Sequence, residues 1–212
     1  MSELENQTKC VLEPLVLGNE SLLSPSDQLL IATWAVKTAM IFEFVNAGRL
    51  RVFTPDSRRF LMENHRPPLD ARVRLAAMHP SPLVLEMRRW NASKPHEDNL
   101  LAVSAGLRIG CVALNVLYAE GASREIPGFE VLERRTDRYI PLFPPSVRDA
   151  PFPTLALLAG DDDFDTFVRE PFVDMNQDDR LAVVRAEQDV RGAINEAAAR
   201  FGRSGAAEGA IH

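Results

Sequence analysis

From Leu29 to Val45 the chain reads LLIATWAVKTAMIFEFV, an apolar run whose only charged positions are Lys37 and Glu43. Just ahead of it, Ser24-Pro25-Ser26-Asp27 combines an N-cap serine, a proline at the first helical position and an acid near the positive end of the dipole. These signals predict a helix from residue 25 to about Asn46, with Gly48 just beyond as a C-terminal glycine. Its apolar side chains occupy most of the circumference, so it is expected to be a central helix wrapped by the rest of the chain.

Other segments carry their own periods. Ser2 and Glu5 form the S-x-x-E start of an N-terminal helix with Leu4, Val11, Leu12 and Leu15 available to a core. Pro14 is expected to kink it, and Gly18-Asn19 to stop it. Thr54-Pro55-Asp56-Ser57 predicts a short helix through Phe60 and Leu61 that ends before Arg66-Pro67-Pro68. The period then changes to two: Val73, Leu75 and Ala77, and again Leu83, Leu85 and Met87, alternate with other residues, which predicts two antiparallel strands. Leu100–Ala105 and Ile109–Tyr118 fit either a hairpin or one long bent strand, with Gly110 at a bulge.

Proline is frequent from Pro127 to Pro153, predicting a long covering loop in which residues 140 to 145 pack as an extended edge. Asp163–Arg169 fits a short capped helix, and Asp178–Phe201 a long one with a stripe from Val183 to Phe201. The small, polar residues 202–212 are expected to be disordered. The expected class is α+β: one domain over residues 1–201, with a central buried helix, flanking helices on a small antiparallel sheet, and a long C-terminal helix.

Length and composition fit an ordinary globular chain of 212 residues with 46% hydrophobic and 25% charged positions. Cys10 and Cys111 are far apart and form no zinc-type pair, which points to free thiols, and with no secretion signal at the start the expected location is cytoplasmic. The apolar run is nearly long enough to span a bilayer, but Lys37 in its middle favours a buried core helix over a membrane role. Charge is uneven: residues 49–94 carry ten basic and four acidic groups, net +6, within a chain of net −6.

That basic middle is the main candidate for binding. Arg58, Arg59, Arg72, Arg74, Arg88 and Arg89, with Phe60 and Trp90 interleaved, could neutralise phosphates and stack a base, so nucleic acid is one expected partner and another protein the alternative. The competing reading is the solvated outer face of an amphipathic sheet. Trp34 and Lys37 are weaker candidates for a binding or structural role. Lys37 must snorkel or find an acceptor, and Glu43, six residues on, does not face it.

Catalytic motifs are missing. His65, His79, His96 and His212 lack metal-site spacing, and Asp161-Asp162-Asp163-Phe164-Asp165 reads as a helix start rather than a cation site. Asp174-x-Asn176-x-Asp178 opens like a calcium loop, but Asp179 and Arg185 stand where glycine and glutamate belong. Ser104-Ala105-Gly106 lacks the first glycine of a nucleophile elbow, and no phosphate-cradling glycine loop occurs. No cofactor or metal is expected.

Met1-Ser2-Glu3-Leu4-Glu5, the helix start LLSPSD, and Trp34-Ala35-Val36-Lys37-Thr38-Ala39 stand in the order seen downstream of the metal site in bacterial and phage HNH endonuclease-like proteins. Phe53-Thr54-Pro55, Pro67-Pro68 and the proline-rich 140–153 add looser likeness, so that roughly the first 170 residues resemble the C-terminal region of that group. The metal-binding and water-activating residues of such nucleases precede this region, so the resemblance implies no catalytic residue here. It implies an accessory or scaffold module. The alternative is a truncated HNH-type nuclease, or another hydrolase with a dispersed acidic site.

Overall fold

The computed structural model describes residues 3–46, 51–92, 100–119, 138–153 and 157–169. All belong to the unit Met1–Asp174. The expected helix 178–201 and the tail 202–212 lie outside the described residues, as do Gly48 and the calcium-like stretch from Asp174.

The helix starts follow local chemistry. Helix α1 spans Glu3–Val16 and continues through Pro14 for two further residues. It closes in a Schellman motif: Gly18, with φ of 79°, donates to the Leu15 carbonyl, and Asn19 donates to that of Pro14. Gly18 and Asn19 therefore stop the helix as expected. The short strand β1, Ser21–Leu23, leads into helix α2, Pro25–Asn46. Ser24 caps α2: its hydroxyl accepts from the Asp27 amide at 3.2 Å while the Asp27 carboxylate accepts from the Ser24 amide at 3.0 Å. Helix α3, Pro55–Asn64, begins on Thr54, whose hydroxyl accepts from the Ser57 amide, and ends at His65 in the left-handed region.

Strand β2 runs Ala71–Ala92 and pairs antiparallel with β3, Leu100–Ala119. The two expected strands at 73–77 and 83–88 are thus one continuous strand and do not pair with each other. The chain is not turned by His79-Pro80-Ser81-Pro82, because the register slips there instead, between Ala77 and Ser81 and again between Ser81 and Val84. Opposite Ser81 stands Gly110 at φ 55°, the expected bulge residue. A side chain at Gly110 would also collide with the Val16 carbonyl at the end of α1. For the segment after Leu100, the long bent strand is the form adopted.

Strand β4, Ile140–Phe143, joins the outer side of β2, giving a three-stranded sheet in the order β3-β2-β4, and β5, Ala150–Phe152, pairs with β1. The extended edge expected at 140–145 is β4. Next to it, Leu158 bridges β2 beside Met78, accepting from the His79 amide and donating to the Ala77 carbonyl. Helix α4 spans Asp161–Arg169, starting two residues earlier than expected.

The architecture is α+β, and both faces of the β2-β3 base are covered. On one face Val73, Leu75, Val112, Leu114 and Val116 join Ile31, Ala35, Val36 and Ala39 of α2 in the main core. The alternate residues face α4. There Gly106 lets the helix approach so closely that a β-carbon would lie 2.3 Å from Val168 and 2.8 Å from Phe164. Helix α2 is not wrapped on every side, however. Ile41, Phe44 and Val45 near its C-terminal end are 53%, 58% and 74% exposed. By length and composition Pro25–Val45 could cross a membrane, and half of its most apolar window is buried within the protein.

Candidate functional site

Arginine is the residue type on which the sequence rests its binding site, and the fold distributes those arginines among separate tasks. Arg74 belongs to a strand whose alternation placed it outward with Arg72; instead it is buried, because α4 covers that face. Its guanidinium packs against two neighbouring rings, 4.7 Å from the centre of Tyr139 and 4.4 Å from that of Phe167. It donates to Asn115 Oδ1 at 3.1 Å and to the Phe167 carbonyl. Asn115 in turn donates to Ser104 Oγ at 2.7 Å, and Ser104 donates to the Val168 carbonyl at 2.8 Å.

This buried polar layer therefore captures two of the last carbonyls of α4, which have no partner inside the helix. A cation at that end also meets the negative pole of the helix dipole. The same helix is held along its length. Arg88 pairs with Asp165 at 3.2 Å and with Glu86, and Arg108 pairs with Asp161 while lying over the Phe164 ring. Asp163 accepts from the Ala159 amide at 2.8 Å. The acidic run is thus engaged in starting and tethering α4, and among the described residues no group of three histidine, cysteine or acidic side chains could hold a metal.

A second cluster forms where α2 meets α3. Glu43 is fully buried, and its carboxylate accepts from the Val52 amide at 2.7 Å, the Phe53 amide at 3.3 Å and Arg58 at 2.9 Å. Arg58 also donates to the Met40 and Phe53 carbonyls. The arrangement closes the corner between the helices, with the carboxylate standing in for backbone partners that residues 52 and 53 would otherwise lack.

Of the remaining candidates, Arg59 is largely exposed, with Asp56 at 3.4 Å, and Arg72 is half-buried and donates to the Leu69 and Ala71 carbonyls. The Arg89 side chain lies outside the described residues. The five arginines whose side chains are described consequently do not form one stripe. Trp34 is half-buried against the core. Lys37 finds its acceptor on α1, where Glu5 Oε1 lies 2.7 Å from Nζ. The expectation that Lys37 does not pair with Glu43 agrees with both partners observed.

Gln28 is a buried polar residue that the sequence did not single out. Its amide donates to the Leu23 and Arg148 carbonyls and accepts from the Ser146 amide, joining the start of α2 to the segment before β5. Asn115 and Ser104 were likewise missed as a pair, each sitting in a run that reads as plain strand. Their only sequence signal is a polar residue in an otherwise apolar stretch. His65 and His79 are both exposed and on different elements, while His96 and His212 lie outside the described residues. Cys10 is exposed and Cys111 half-buried, both as free thiols. Comparison with protein-family models, curated proteins and solved structures finds no match.

Proposed function

We propose that this chain is a non-catalytic accessory or scaffold module of the cytoplasm, the role implied by its resemblance to the C-terminal part of HNH endonuclease-like proteins. The observation that carries this reading is the commitment of its charged groups. Arg58, Arg74 and Arg88, together with Arg108, Glu43 and Asp165, are spent on holding helices to the sheet and to one another. Glu43 and Arg74 are buried, and removing a partner from a buried charge is costly, which suits a frame that presents a surface to a partner.

Contact with nucleic acid is a subsidiary part of the proposal and rests on the basic segment that stays accessible, with Arg59 and Arg72 in it. A phosphate contact made by Arg59 would weaken retention of a labelled oligonucleotide on Arg59→Glu and flatten its salt dependence by about one counterion unit. The scaffold reading is tested by incubating the purified chain with DNA and RNA in magnesium, manganese or zinc. Unchanged substrate is expected, and metal-dependent cleavage that co-purifies with the chain would overturn it.

A further inference from the structure

We draw no further inference here: the strongest candidate, the exposed apolar surface patch of Ile41, Phe44 and Val45 at the C-terminal end of α2, carries nothing because nothing in the structure shows what covers it.

Discussion

Helices α2 and α4 pack on opposite faces of one sheet by opposite means. Helix α2 has 22 residues and buries a long row of aliphatic side chains, so its attachment is mainly the removal of apolar area from water. Helix α4 has nine residues and buries Phe164, Phe167 and Val168, while sheet arginines engage its acids and its C-terminal carbonyls. Short helices are marginal alone, since nucleation consumes much of what a few hydrogen bonds return. A long apolar helix thus needs charges only at its corners, whereas a short one depends on charged partners supplied from outside.

The largest expected effects separate the two attachments. Glu43→Ala leaves two buried amides and the Arg58 guanidinium without their acceptor and is expected to cost about 3–5 kcal/mol. Hydrogen exchange should accelerate at α3 and the end of α2 and stay slow in α4. Arg74→Met is expected to cost about 2–4 kcal/mol, because Asn115 and the Phe167 carbonyl lose a charged donor in a dry layer. Here exchange should accelerate in α4 and spare α3. Urea unfolding measures both costs, and the same exchange pattern in both variants would break the comparison.

Smaller effects sharpen it. Gly106→Ala places a methyl against Val168, a stiff side chain, and is expected to cost about 1–3 kcal/mol through a shift of α4 alone. The Lys37–Glu5 pair, with each side chain about a third exposed, sits at the opposite extreme. A double-mutant cycle across it should return less than about 1 kcal/mol, falling further in high salt. A coupling several times larger would place an ionic contribution where apolar burial is taken to dominate.

Much of the fold was legible in the sequence. The caps at Ser24 and Thr54, the stop at Gly18 and the bulge at Gly110 were readable because each depends on residues within a few positions of itself. The alternation at Val73–Ala77 and again at Leu83–Met87 predicts two strands, but the residues between them, with Pro80 and Pro82, do not interrupt the ladder. The ladder survives there by slipping register, and Leu158 supplies partners for the backbone of Ala77 and His79. The candidate site was less legible. Alternation along β2 places Arg72 and Arg74 on one face, but it does not say whether that face meets water or another helix.

The sequence by itself determined where most described helices begin, the hydrophobic alternation along β2, the extended apolar runs of β3 and the buried character of much of α2. Those follow from capping chemistry and side-chain period, which act over one or two turns. Only the tertiary structure decided what the charged groups do. Lys37 meets Glu5 across 32 residues and Arg74 meets Phe167 across 93, and such partners come together only when packing brings distant segments into contact. The same holds for the apolar end of α2, because the composition of a helix does not specify which of its sides the remaining chain reaches.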